Sequence, residues 1–189
     1  MTVRSDAQVI AASIDAPDEF AEVFDRHARA VHGYLRRRVP SAADDLLAAT
    51  FLTAFERRDR FDTTQEDARP WLLGIATNHI RAQHRSHARG WGLVKRVTAQ
   101  IAGSSQDDEV DALVDRVDAE RASAELKSVL VTLSEGDRDV LLLFAWEDLS
   151  YAEIAAALGI PVGTVRSRLN RVRRLLRFAL RDVAEEDAG

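Results

Sequence analysis

The chain has 189 residues, 46% of them hydrophobic, no cysteine and a formal net charge of −5 at pH 7. That apolar fraction supports packed cores and excludes wholesale disorder, and the missing cysteines exclude a disulfide framework and a thiolate metal site. The longest apolar run, Val140 to Trp146, is far too short for a membrane span, and nothing in the first twenty residues, with Arg4, Asp6, Asp15, Asp18 and Glu19, resembles a signal peptide; membrane insertion is not expected and a cytoplasmic location is.

Residues 1–16 have weak periodicity and are expected to fray. The spacing of Phe20, Val23, Phe24, Ala28, Val31 and Leu35 predicts a helix from about Pro17 to Val39, ended by Pro40. Ser41 with Asp44 is expected to cap a second helix to about Arg58, with Leu47, Phe51, Ala54 and Phe55 turned inward. Arg60 to Asp67 is a polar loop. Pro70 opens a third helix towards Arg89, with Trp71, Leu72, Ile75, Ala76 and His79 at helical spacing, and Gly90 and Gly92 are expected to break it. Gly103 to Asp118 combines Gly, Ser and a run of acids and is the best boundary in the chain. A helix is predicted over 119–132. Ser134 with Asp137 caps the next one, whose run Val140 to Trp146 is the expected core of a second domain. No stretch alternates as a strand does. The predicted fold is all-α: two small helical domains, 17–96 and 119–181, joined by an acidic linker over 97–118.

Charge is segregated along the chain. Ala68 to Gln106 holds no acid, while Arg69, Arg81, Arg85, Arg89, Lys95 and Arg96 are basic; Asp107 to Glu120 holds seven acids against Arg116 alone. Blocks of opposite sign imply separate surfaces with separate partners.

The most informative stretch is Leu149 to Arg181. Ser150 and Glu153 form a capping box ahead of a short helix, and Ala155 to Ala157 leave room for a second helix to cross closely. Gly159 ends the short helix at a left-handed position, and Pro161 restarts the chain. Val165, Leu169, Val172 and Leu176 then make one apolar stripe, while Arg166, Ser167, Asn170, Arg171 and Arg174 lie on the other face. Between Pro161 and Arg181 there are seven Arg and no acid. An ordinary solvated face mixes signs for i,i+4 pairing, and Arg and Asn have the donor geometry to bond base edges. The pattern is a helix-turn-helix with a DNA-reading second helix.

Two separated segments carry a family resemblance. DDLLAATFLTAFERRDRFD followed by RPWLLGIATNHIRAQHR resembles region two of bacterial sigma factors. LSEGDRDVLLLFAWEDLSYAEIAAALGIPVGTVRSRLNRVRRLL is similar to region four. With nothing but the linker between them, the chain from about Glu19 to Leu180 resembles an extracytoplasmic-function (ECF) sigma factor. The resemblance implies a promoter-specificity subunit that binds core RNA polymerase, reads the −35 and −10 elements and helps open the DNA, without a cofactor, metal or catalytic residue.

Residue by residue, the resemblance places Asp45, Leu46, Leu47, Phe51 and Leu52 against the clamp of the polymerase β′ subunit, and region four against the β flap. Ala48 and Ala49 depart from the Gln and Glu usual there, and simple core packing accounts equally well for Leu47 and Phe51. The −10 reader falls on Arg60, Phe61 and Asp62 in the loop and on Asn78, Arg81 and Arg85 in the helix after it. Ala82 replaces a frequent Asp. Holding a base out of the stack calls for a pocket and a basic track, which this loop and helix supply; Trp71 reads as core. The −35 recognition positions fall on Arg166, Ser167, Asn170 and Arg171, with Arg174, Arg168, Arg173 and Arg177 on the phosphates beside them. The linker acids serve as a spacer or as an RNA mimic in the polymerase cleft. An anti-sigma factor is a further partner that the resemblance implies.

Two other functional classes compete with this one. His84 and His87 have chelating spacing, but no carboxylate lies near them in sequence to complete a metal site, and no phosphate-cradling loop or nucleophilic triad stands out. A free-standing helix-turn-helix regulator acting without polymerase is the alternative. Such proteins usually dimerise, and this chain shows no dimerisation helix while carrying a whole domain in front.

Overall fold

The computed structural model describes residues 4–94, 130 and 132–186, without the side chains of 87–94 and 178–186. The linker 97–118 and, apart from Leu130 and Thr132, the helix expected over 119–132 lie outside the described residues.

The segment expected to fray is a helix. Ser5 accepts from the Gln8 amide and Gln8 reaches back to the Ser5 amide, a reciprocal cap that starts α1 (Asp6–Asp15). Val9 and Ile10 are fully buried in the main core, so tertiary packing holds a helix that its own weak periodicity did not announce. A single 3-10 turn at Pro17–Phe20 leads into α2 (Ala21–Arg38). The expected Ser41/Asp44 cap does not form. Pro40–Ala42 is another 3-10 turn, α3 (Ala43–Glu56) begins without a side-chain cap, and the Asp44 carboxylate instead meets His32 at 2.9 Å. A further turn at Arg58–Arg60 and an irregular loop precede α4 (Arg69–Val94). Gly90 and Gly92 do not end α4. Glycine weakens a helix interior by about 1 kcal/mol but stops it only when it turns left-handed, and the described positive-φ glycine is Gly159.

The C-terminal half contains α5 (Glu135–Ala145), capped by Ser134 as predicted, then α6 (Tyr151–Leu158) and α7 (Val162–Glu186). Among the described residues there is no strand.

The two halves do not keep separate cores. Val140, Leu143, Ile154 and Leu169 belong to the same buried cluster as Tyr34, Leu72 and Ile80; Leu130, Leu133 and Val172 form a smaller one among the described residues. The join is the crossing of α4 over α6, where Gly74 meets the backbone of Ala157. Polar groups seal its rim. The Asp139 carboxylate, fully buried, receives Arg38 at 2.7 Å and Arg81 from the other half. Arg38 also donates to the Tyr34 hydroxyl at 2.6 Å, which bonds the Thr77 hydroxyl at 2.8 Å. Glu147 pairs with Arg37, and Arg69 reaches both its carboxylate at 2.9 Å and its carbonyl at 2.8 Å. The Arg37 guanidinium lies over the Trp146 ring.

Candidate nucleic-acid and polymerase interfaces

The helix-turn-helix has the local geometry its sequence predicts. Ser150 and Glu153 close their capping box, and the two hydrogen bonds to Ser150 hold the Glu153 carboxyl below its ordinary range. Gly159 sits at φ 63°, and the Ile160 amide turns back onto the Ala155 carbonyl at 3.0 Å. The Pro161 carbonyl then accepts from Thr164 and Val165, the first turn of α7. Val165, Leu169 and Val172 are buried, which turns Arg166, Ser167, Asn170, Arg171 and Arg174 outward, all exposed. These five share one accessible face. Arg171 is partly engaged, donating to the buried Asp137 carboxylate at 2.9 Å. Arg168 donates to the Gly136 carbonyl at 3.2 Å, and Arg173 bonds the Tyr151 hydroxyl at 3.2 Å, so both support the fold as well as carrying charge.

The predicted −10 residues divide by burial. Arg60, Asp62, Asn78 and Arg85 are exposed. Phe61 is buried, its ring 5.0 Å from that of Trp71, which puts it beneath the loop rather than on its surface. Asp62 accepts from both the amide and the hydroxyl of Thr64, at 3.0 and 2.7 Å, bonds that keep its carboxyl below the usual range. It therefore shapes the turn that displays Thr63, Thr64 and Gln65. Arg81 is partly buried in its pair with Asp139.

On α3, Asp45 and Leu52 are exposed, Leu52 to 59%, whereas Leu46 and Leu47 are half-buried and Phe51 packs edge-on to Phe24 at 4.8 Å. Among the described residues, Phe24 and Ile14 are the other large apolar side chains exposed by more than 40% in the N-terminal half.

Two of the α4 histidines, His79 and His84, have partners. His79 meets the Thr53 hydroxyl at 2.9 Å, and its burial pushes its pKa down. His84 faces Glu135 at 3.8 Å; the His87 side chain lies outside the described residues. Among the described residues, ligand atoms of Asp6, His27 and Asp67 come within 4.8 Å of one another. Asp6 already accepts from Arg26, at 2.6 Å, and from the Ala68 amide. A guanidinium against the same carboxylate makes this a hydrogen-bonded clip, not a cation site.

Family models for sigma-70 region 2 and sigma-70 region 4 match residues 23–90 and 123–176. The RNA polymerase sigma factor CarQ of Myxococcus xanthus is 33% identical over 177 residues, 92% of this chain and 95% of CarQ. The ECF RNA polymerase sigma factor SigL of Mycobacterium tuberculosis is 32% identical over 85% of this chain and 88% of its own length. The chain belongs to the ECF RNA polymerase sigma factors. The structure of CnrH in complex with the cytosolic domain of CnrY superposes with a TM-score of 0.60 at 26% identity, covering 94% of this chain and 97% of CnrH.

A sigma factor binds core polymerase and directs it to promoter DNA, and the reading of this chain as a free-standing regulator is not favoured. In this sigma factor the fold adds three residues that sequence reasoning passed over: Asp6, Asp139 and Glu147. Asp6 had a signal, the Ser5–Gln8 box just ahead of the apolar Val9 and Ile10. Asp139 and Glu147 had none, since their partners lie in the other half, 110 positions away for Arg37 and Glu147.

Proposed function

We propose that α7 reads the −35 element through Arg166, Ser167, Asn170, Arg171 and Arg174. The observation that carries this is the exposed Arg/Asn face set out by the Gly159 turn, with Val165, Leu169 and Val172 of its apolar stripe buried behind it. The loop 60–67 holds an unstacked −10 base at its Thr63–Gln65 tip, with Arg60, Asn78 and Arg85 along the strand and Phe61 supporting from below. Arg81 joins them only when it leaves Asp139. Asp45 and Leu52 meet the β′ clamp, with Leu46, Leu47 and Phe51 as the apolar wall behind them; the C-terminal domain meets the β flap. The functional units are 17–96 for polymerase and the −10 element, 97–118 as linker and 119–181 for the −35 element. The chain performs no covalent chemistry, and it works in the cytoplasm.

Two promoter elements near two helical turns apart, about 34–36 Å each, are out of reach while α4 lies on α6. The described arrangement is therefore a closed form that parts on binding polymerase, and a linker of about twenty residues spans ~60–70 Å when extended. An anti-sigma factor covering Phe24 and Leu52 would hold it closed; the solved pairing of CnrH with a second protein is in keeping with that.

Run-off transcription with purified core polymerase over a fragmented genomic library tests the reading. Specific transcripts whose start sites share two upstream elements are expected, and Leu52→Glu is expected to abolish them by blocking assembly. Tight operator binding without polymerase, and no transcripts with it, would overturn it.

A further inference from the structure

The −10 loop is held at two points. Phe61 fixes its entry against Trp71. Its exit is fixed by the N-terminus of α1, a segment outside the sigma-70 region 2 match at 23–90. The Asp6 amide donates to the Glu66 carbonyl at 3.0 Å, and the Asp6 carboxylate accepts from the Ala68 amide at 2.9 Å. One residue thus clamps the backbone on both sides of Asp67. The same carboxylate takes Arg26 and His27 from α2, each at 2.6 Å, and is only 5% exposed. Its two oxygens take three donors, two from α2 and one from the loop exit. Between the two anchors only Asp62 to Asp67 project, and Asp62 ties that arc into a turn through Thr64 and Gln65.

A carboxylate spanning α1, α2 and the loop exit is more than a helix cap requires. Ser5 and Gln8 already supply that cap. Losing the Asp6 bonds would leave α4 anchored by its own packing but free the loop exit to shift relative to it. A pocket that must hold one base through short polar contacts tolerates little such shift.

We propose that Asp6 is a positioning residue for promoter opening: it fixes the height of the 62–67 arc over the start of α4, and so the capture and discrimination of the unpaired −10 base. This rests on the reading of the loop as the base-holding element. Asp6 touches no DNA itself and acts through Glu66 and Ala68.

The test uses holoenzyme reconstituted from core polymerase and full-length chain, on a promoter found by the run-off screen. Open-complex formation is followed by the fluorescence of 2-aminopurine in the −10 element, on the parent promoter and on single-base variants of that element. Asp6→Asn is expected to bind core polymerase normally, to slow opening by about tenfold, as loss of charged hydrogen bonds implies, and to flatten the rate differences among the base variants. Ser5→Ala is the control. It weakens α1 without touching the clip, and is expected to lower thermal stability while keeping base discrimination. Arg26→Met, which removes one donor from the same carboxylate, is expected to show a smaller loss in the same direction, and it replaces Asp6→Asn if that variant fails to fold. Base discrimination unchanged in Asp6→Asn and Arg26→Met, or lost equally in Ser5→Ala, would falsify the positioning role. A wild-type holoenzyme that never opens DNA removes the reading of the loop itself, and this inference with it.

Discussion

Gly74 of α4 lies so close to Ala157 of α6 that a Cβ on it would sit 2.2 Å from the Ala157 carbonyl oxygen. Glycine inside a long helix normally weakens it by about 1 kcal/mol relative to alanine, so Gly74→Ala would stabilise an isolated α4. Here the added methyl meets backbone, which cannot rotate away. Overpacking of this kind costs about 1–3 kcal/mol, and the strain is relieved when the halves part. Gly74→Ala is therefore expected to lower the midpoint of thermal unfolding while raising the open fraction. Energy transfer between dyes on cysteines introduced at the exposed Glu56 and Ala152 measures the latter; the chain has no cysteine of its own to interfere. Transfer efficiency and melting midpoint both equal to wild type would show that the crossing is not as close as described.

The two acids at the rim of that crossing should differ in how much depends on them. Asp139 is fully buried against Arg38, whose side chain is itself 1% exposed, so Asp139→Ala strands a buried guanidinium. Removing one partner of such a pair costs about 3–5 kcal/mol. Arg37 and Arg69, opposite Glu147, keep 25% and 32% of their side chains in water and can resolvate when the carboxylate is lost. Glu147→Gln also retains a hydrogen-bond acceptor. Its expected cost is about 1 kcal/mol. Urea unfolding of the two variants separates the effects, and equal losses would contradict the difference in burial.

How well each feature reads from sequence follows the distance over which it is built. The helix-turn-helix was legible in full because its determinants are local: the Ser150–Glu153 box, the left-handed Gly159 and the buried Val165, Leu169 and Val172 lie within one short stretch. The small residues Ala155 to Ala157 also announced a close crossing correctly, without saying that the crossing helix would be α4. The exposed Arg/Asn face of α7 was legible for the same reason. By contrast, Ser41 and Asp44 have the chemistry of a cap, but Pro40 sets a 3-10 turn over Ser41 and His32 on α2 takes the Asp44 carboxylate. Phe61 sits in a polar loop by sequence and in the core by structure, because Trp71 lies one helical turn into α4 and offers it a ring. The Asp6 clip and the Asp139 and Glu147 pairs needed three-dimensional proximity, which local patterns do not encode.

His79 gives the stability of the N-terminal half a pH dependence with a definite sign. Burial lowers its pKa from 6.5, outweighing the bond with the Ala49 backbone and assisted by the nearby Arg57. A histidine whose folded pKa is depressed contributes stability that is present above the unfolded value, about 6.5, and lost as pH falls through the folded one. Wild type is thus expected to lose stability between pH 7.5 and 5.5, and His79→Gln, which keeps a partner for the Thr53 hydroxyl, is expected to lose less. His27, His32 and His84 also lie close to carboxylates, so the relevant quantity is the difference between the two proteins, measured by urea unfolding at both pH values. Parallel pH profiles would exclude His79 as the source.

α7 offers a sharper test of its proposed reading role, because two of its arginines differ in what they leave behind. Arg166 is exposed on the face proposed to read DNA, so Arg166→Ala is expected to weaken binding of holoenzyme to the −35 element by about 1–3 kcal/mol without moving the melting midpoint. Arg171 shares that face but donates to Asp137, which is buried at 3% exposure on α5. Arg171→Ala is therefore expected to weaken −35 binding, as the proposed role of α7 requires, and also to leave a buried carboxylate without its guanidinium, at a cost of about 1–3 kcal/mol in stability. Arg171→Ala combined with Asp137→Asn should recover most of the stability while DNA binding stays weak, since only the first substitution touches the reading face. Binding by fluorescence anisotropy and unfolding by calorimetry give the two quantities independently. Recovery of DNA affinity in the double variant would mean that Arg171 serves the fold alone and that Arg166, Asn170 and Arg174 carry the recognition.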